Sequence, residues 1–221
     1  MSISQFTPRA VTFRFGAVLA ILVLLGVATP LAAQQAAKPD HRVLERFEWM
    51  RQKEGNLWNI TAEEGAFLRD LMVKVKARRA LELGTSNGYS SMWIALGLRQ
   101  TGGHLNTMEI DRGRARLAEE NFRAAGLDSL ITVWVGDALQ EIPQVPGPLD
   151  FVFIDVWKQG YIPCFKLALP KVRPGGVIVA HNVTNLRDEL ADFIHEVTTN
   201  PQLQTTIENP GPGGFSVSYK R

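Results

Sequence analysis

Seven side chains able to do chemistry close or follow short strand-like runs in this sequence. Glu82 sits inside Ala80-Leu81-Glu82-Leu83, Glu109 ends the run from His104, and Asp137 follows Ile131–Val135. Asp155 ends the run from Leu149 with Lys158 three residues on, and His181-Asn182 follow Val177–Ala180. In open α/β sheets, ligands bind off the carboxyl ends of the strands, so residues delivered there share one rim. At that rim Glu109 is placed to accept two ribose hydroxyls, and Asp137 an adenine amino group. Asp155, His181 and Asn182 offer a carboxylate, an imidazole and an amide oxygen, a set that suits one divalent metal ion. Lys158 reaches the same spot and could serve as a base once deprotonated. Each residue alone could be a solvated strand end; their joint occurrence on one rim is what argues for a site.

The stretch that organises the rim is Leu81-Glu82-Leu83-Gly84-Thr85-Ser86-Asn87-Gly88-Tyr89-Ser90. A buried strand runs into two glycines and then into the helical pattern Ser90–Leu96. Glycine lets the backbone turn tightly and approach a ligand closely. The helix that follows presents free N–H groups to the crevice. The spacing Glu-x-Gly-x-x-x-Gly differs from the Gly-x-Gly-x-x-Gly of pyrophosphate binders. It suits a nucleoside with a charged amino-acid tail and no phosphate, for which S-adenosylmethionine is the candidate. The alternatives are an ordinary strand-to-helix turn or a dinucleotide-dependent oxidoreductase, the latter weakened by the missing motif.

The elements that must position these residues alternate along the chain. Amphipathic patterns cover Asp40–Lys53 and the segment from Thr61, which makes a capping box with Glu64. Between them Gly55–Ile60 is non-periodic and able to cover a pocket. After the glycine loop come a strand at 104–110, a helix over Arg112–Ala125 closed by Gly126, and strands at 131–135, 149–155 and 177–180. A helix is expected over Leu186–Thr198, and Thr205–Ile207 and Phe215–Tyr219 form a closing pair. Repeated βα units with apolar strands predict an α/β fold, a mostly parallel sheet covered on both faces, with an antiparallel C-terminal edge strand.

With 221 residues, 45% of them hydrophobic, the chain has enough material for one good-sized core. Its net charge of +2 is accounted for by Arg9 and Arg14, so the chain beyond residue 33 is balanced, unlike a nucleic-acid binder. A single cysteine, Cys164, excludes an intramolecular disulfide and lies in an apolar helical pattern as a core residue. Residues 1–33 join Arg9 and Arg14 to an apolar run from Phe15 and a small-residue exit at Ala32-Ala33. They read as a signal peptide cleaved near Ala33, or as an N-terminal membrane anchor. The protein is then exported (periplasmic or secreted) or membrane-anchored through that segment. Residues 34–60 form an N-terminal helix and pocket cover, and 61–221 the catalytic domain.

From Leu57 to Val183 the chain resembles the catechol O-methyltransferase family, including its bacterial and caffeoyl-CoA relatives. The resemblance rests on Leu81–Ser90, Glu109, Asp155-Val156-Trp157-Lys158-Gln159-Gly160-Tyr161-Ile162-Pro163 and His181-Asn182. It implies a Rossmann-like doubly wound sheet of seven strands and methyl transfer from S-adenosylmethionine to a small phenolic or catechol-like hydroxyl. It implies cofactor contacts from Ile60, Glu82, Gly84, Ser90, Glu109, Ile110, Gly136, Asp137, Asp155 and Trp157. Lys158 would be the base, with Asp155 beside it, and Asp155, His181 and Asn182 the metal ligands. The partners are a small-molecule acceptor and no nucleic acid, and a homodimer is compatible with the reading. Two departures stand out. His181 replaces an aspartate of the family, which favours a transition metal over Mg²⁺, or no metal at all. The tail after Gln202 is shorter, so the family's acid for the second hydroxyl is not carried over. A catalytically impaired S-adenosylmethionine-binding module is the further alternative.

Overall fold

A computed structural model describes residues 41–55 and 57–221. The leader and anchor readings of residues 1–33 lie outside the described residues. No helix among the described residues is long and apolar enough to cross a membrane.

The chain begins with α1 (His41–Lys53) and α2 (Ala62–Lys74). It then alternates β1 (Arg79–Leu83), α3 (Tyr89–Thr101), β2 (His104–Glu109), α4 (Arg112–Ala125) and β3 (Ile131–Val135). The second half holds α5 (Ala138–Glu141), β4 (Leu149–Ile154), α6 (Tyr161–Ala168), β5 (Val172–Ala180), α7 (Ala191–Thr199), β6 (Leu203–Glu208) and β7 (Phe215–Lys220). The strands form one sheet in the order β3-β2-β1-β4-β5-β7-β6, as the doubly wound α/β expectation requires. The first five are mutually parallel, and β7 runs antiparallel to both β5 and β6. The antiparallel strand therefore lies one place in from the edge, with β6 outside it.

Successive strand residues point to opposite faces, and both faces are covered. Phe151 and Phe153 join one core with α1, α2, α3 and α4, while Val152 and Ile154 join a second with α5, α6 and α7. That is why the central strands read as unbroken apolar runs rather than alternating ones. Cys164 is fully buried in the second core, where burial pushes its thiol up to about 12.

Local signals set the helix starts. Thr61 accepts from Glu64 N–H at 3.2 Å and its own N–H donates to Glu64 Oε2 at 2.8 Å, completing the capping box. Asp111 caps α4, and Gly126 ends it at φ 70°. Two expectations are corrected. The helix expected from Leu186 begins only at Ala191: Asn182 takes φ 62°, and residues 183–190 form successive turns. Strand β5 starts at Val172, five residues before the expected Val177, running through Pro174-Gly175-Gly176 with a register shift against β4.

The chain winds outward from β1 through β2 to β3 on one side, and from β4 to β5 on the other. The β1/β4 boundary is therefore the topological switch point where α/β sheets open a crevice. Backbone bonds from Gly84 N–H to Met108 O (3.0 Å), Asp155 N–H to Leu83 O (2.9 Å) and His181 N–H to Ile154 O (3.1 Å) extend the ladder past the strand ends. The chemistry-bearing residues of β2, β1, β4 and β5 are thereby lined up side by side.

Candidate active site

A cavity of about 660 Å³ opens at this boundary, within the range of small-molecule and cofactor sites. Ile60, Gly84, Ser90, Glu109, Ile110, Gly136, Asp155, Trp157, Lys158 and Asn182 line it, so most of the residues expected from the sequence meet there. Leu57, Trp58 and Asn59 close one side, as the reading of Gly55–Ile60 anticipated. Glu82, Asp137 and His181 are not part of the wall, and each has another task.

One half of the cavity is built by the glycine loop. Gly84 takes φ 98°, and a Cβ there would overlap the Asp155 carbonyl, so this loop can cross the end of β4 only as glycine. Behind it Glu82 is fully buried and accepts hydroxyl bonds from Ser90 (2.5 Å), Thr107 (2.6 Å) and Ser91. Burial pushes its carboxyl up to about 7 against those three donors. Glu82 thus holds Ser90 in the wall from beneath. At the end of β2, Glu109 accepts Ser86 N–H at 2.7 Å and Asp111 N–H at 2.9 Å, tying the glycine loop to the start of α4. Ile110 and Trp157, 63% and 44% exposed, present apolar surface on the same cavity, an arrangement able to sandwich a flat ring. Asp137 caps α5 through Leu139 N–H at 2.9 Å, while its neighbours Gly136 and Ala138 reach the wall.

This half fits a nucleoside. The Glu109 carboxylate, with two lone-pair directions engaged, has capacity left for two hydroxyls. The glycine loop carries no lysine or arginine to meet a phosphate, and the one arginine lining the cavity, Arg114, stands on α4.

The other half is charged. Lys158 Nζ donates to Asn182 Oδ1 at 2.5 Å and to Tyr161 OH at 3.0 Å, and stands 3.7 Å from Asp155 Oδ1. Burial lowers the Lys158 pKa, opposed by Asp155. Tyr161 OH donates to Asp155 Oδ1 at 3.3 Å, and burial holds its phenol well above the ordinary range. His181 Nδ1 lies 3.2 Å from Asp155 Oδ2, and its Nε2 lies 3.3 Å from Glu64 Oε1. Burial alone would lower the imidazole pKa; bonds and charge from Asp155 and Glu64 reverse this and raise it to about 9. Burial would likewise raise Glu64, but His181, Thr61 N–H and Gly213 N–H hold it at about 2. The His181 ring thus lies between the carboxyl groups of Glu64 and Asp155.

A divalent metal does not fit this donor set as it stands. The expected ligands Asp155, His181 and Asn182 are brought together, but Asp155, His181 Nδ1 and Asn182 Oδ1 are engaged with protein groups, and His181 Nε2, which makes no hydrogen bond, is turned to Glu64. Both His181 nitrogens face carboxylates, and the ring is 5% exposed and outside the cavity wall. The Asn182 oxygen is held by the Lys158 ammonium. Among the described residues, no group of three or more His, Cys, Asp or Glu side chains is poised to hold a metal ion.

Glu64 and Tyr161 are site residues that sequence reasoning did not single out. The capping box explained Glu64 completely at the sequence level, leaving no signal that its other oxygen serves the site. Tyr161 stands in the Asp155–Pro163 motif and could have been taken from it.

Comparison with known proteins agrees with this geometry. The chain is 38% identical over 150 residues to the catechol O-methyltransferase of Niastella koreensis, covering 66% of each protein. It is 36% identical over 155 residues to that of Mycobacterium tuberculosis, covering 69% of this chain and 70% of the relative. The chain thus spans about two thirds of the length of these relatives. The crystal structure of an O-methyltransferase from Bacillus cereus in complex with S-adenosylhomocysteine superposes with a TM-score of 0.72 at 28% identity, covering 83% of this chain and 92% of that one. The O-methyltransferase family model matches residues 33–191, well over half of the sequence, and the chain belongs to that family.

Proposed function

We propose that the chain transfers a methyl group from S-adenosylmethionine to a hydroxyl of a small phenolic or catechol-like acceptor. The observation that carries the reading is one cavity with two unlike halves: a nucleoside-shaped half around Glu109, and a base in the other half at Lys158. Ile60, Gly84, Ser90, Glu109, Ile110, Gly136, Asp155 and Trp157 would hold the donor, which when bound supplies an electrophilic methyl group. The relatives' names support the acceptor class, since two are catechol O-methyltransferases.

The chemistry follows from charge. A phenol has a pKa of about 10, so near neutrality little of it is ionised. Lys158, whose pKa is lowered by burial, takes the phenolic proton once it has lost its own. The phenolate oxygen forms a bond to the methyl carbon as the carbon–sulfur bond breaks, and the electron pair returns to sulfur, leaving a neutral thioether. The Lys158 ammonium formed in the step offsets the phenolate charge, then releases its proton to solvent. Asp155 and Tyr161 keep the lysine at the junction of the two halves, and positioning at near-attack distance supplies most of the acceleration.

The test is transfer of radiolabel from S-adenosylmethionine to a catechol panel, with wild type and Lys158→Met. Transfer by wild type, reduced at least a hundredfold in the variant while S-adenosylhomocysteine still binds, is expected. Tight binding of NAD with none of S-adenosylhomocysteine would overturn the reading in favour of an oxidoreductase.

A further inference from the structure

We infer that the buried row Glu64–His181–Asp155, together with the Lys158 ammonium, takes the place of a divalent cation, so that methyl transfer here proceeds without one, and that Glu64 is the positioning residue that makes this so. The inference rests on the methyl-transfer reading above and extends it to how the acceptor's charge is managed.

Glu64 is 1% exposed and fixed at both oxygens. Oε2 accepts Thr61 N–H at 2.8 Å in the capping box, and Oε1 accepts Gly213 N–H at 2.8 Å from the loop before β7. The carboxylate thereby stands 3.3 Å from His181 Nε2, a buried nitrogen that makes no aligned hydrogen bond. Phe215 packs against the ring at 5.2 Å between centroids, and Phe153 at 6.5 Å. A Cβ on Gly213 would overlap His181 Nε2, so the loop approaches this ring only because residue 213 is glycine. Held this way, the ring turns Nδ1 to Asp155 Oδ2 and away from the cavity.

The space between Asp155 and Asn182 is thus filled by a side chain of the protein itself. Lys158 Nζ stands 2.5 Å from Asn182 Oδ1 and 3.7 Å from Asp155 Oδ1, where a cation shared by those two would sit. A divalent ion shared by Asp155 and Asn182 would have to displace Lys158 Nζ from that position. The ammonium formed when Lys158 takes the phenolic proton, hydrogen-bonded and oriented, then meets the acceptor oxygen directly. A second arrangement uses the same residues differently: Glu64 could orient His181 as a metal ligand through Nδ1, as second-sphere carboxylates do. The burial of the ring and its absence from the cavity wall favour the first arrangement, and the second becomes an outcome of the test.

The full chain is stripped with chelator and titrated with Mn²⁺, followed by electron paramagnetic resonance, and with Zn²⁺, followed by calorimetry, both with S-adenosylhomocysteine present. Methyl transfer is assayed in parallel with chelator or with each metal. Expected are no binding of either ion below millimolar concentration and rates within twofold across all conditions. Stoichiometric micromolar binding by wild type, or a tenfold loss of rate in chelator restored by a metal, would overturn the inference. The double variant Glu64→Gln/His181→Asp, which places two carboxylates beside Asn182 with no imidazolium, should gain Mn²⁺ binding, whereas His181→Asp alone, with Glu64 still charged, should gain less. S-adenosylhomocysteine affinity serves as the check that each variant is folded. If the double variant binds S-adenosylhomocysteine but no Mn²⁺, the positioning role of Glu64 is refuted. Should no acceptor be turned over at all, the functional reading fails, while the metal titrations still decide this inference.

Discussion

Replacing Glu109 by glutamine removes one charge and reverses one hydrogen-bonding role at almost unchanged size. In the structure one carboxylate oxygen accepts Ser86 N–H at 2.7 Å and the other accepts Asp111 N–H at 2.9 Å. Glutamine keeps one of these bonds and turns an NH₂ toward the other backbone N–H, which then loses its acceptor. It also leaves one carbonyl oxygen, in place of two charged ones, for the ribose hydroxyls. A hydrogen bond to a charged group contributes about 1.5–3 kcal/mol. S-adenosylhomocysteine should therefore bind about 10- to 150-fold more weakly, since about 1.4 kcal/mol corresponds to tenfold. Glu109→Ala, which removes both acceptors, should lose more. The apo protein should change far less, by about 1 kcal/mol, because the freed amides border the cavity and water can reach them. Isothermal titration with S-adenosylhomocysteine and chemical denaturation of the apo protein separate the two quantities. Unchanged affinity in Glu109→Ala would remove Glu109 from the binding site, and an equal loss in both measurements would make its role structural.

Gly84→Ala should destabilise the protein by about 3 kcal/mol or more and weaken S-adenosylhomocysteine binding, since the new Cβ meets the Asp155 carbonyl at φ 98°; denaturation midpoints and calorimetry would check this. Stability should follow a plateau in pH. The folded His181 pKa of about 9 exceeds its ordinary 6.5, so its contribution is full below about 6.5 and is lost as pH rises toward 9. Glu64 is depressed from 4.5 to about 2, so its contribution is full above about 4.5 and is lost as pH falls toward 2. Urea midpoints across pH 3–10 should thus be highest between about 4.5 and 6.5, and His181→Gln should flatten the alkaline limb. For the leader, the proposal is a mature terminus near Gln34, which mass spectrometry of protein from its native host would reveal; an intact Met1 terminus in a membrane fraction would support the anchor instead.

The sequence by itself determined what depends on neighbours along the chain. The apolar strand cores, the Thr61/Glu64 capping box and the closing Gly126 act over a few residues and appear in the structure as expected, although β5 starts earlier than its apolar run. The rim residues were legible for the same reason, because a parallel sheet delivers every strand's carboxyl end to one side. Tertiary structure decided what depends on distant partners. The helix expected from Leu186 starts only at Ala191, after a run of turns that follows Asn182, itself in a left-handed conformation and bonded to Lys158, 24 residues away. Strand β7 lies inside β6 because pairing with β5, and not chain order, fills that position. Above all, Glu64 serves its own helix with one oxygen and meets Gly213, 149 residues later, and His181 with the other. Local patterns account for the first bond. The second exists only once the sheet has closed and excluded water from the space between three segments.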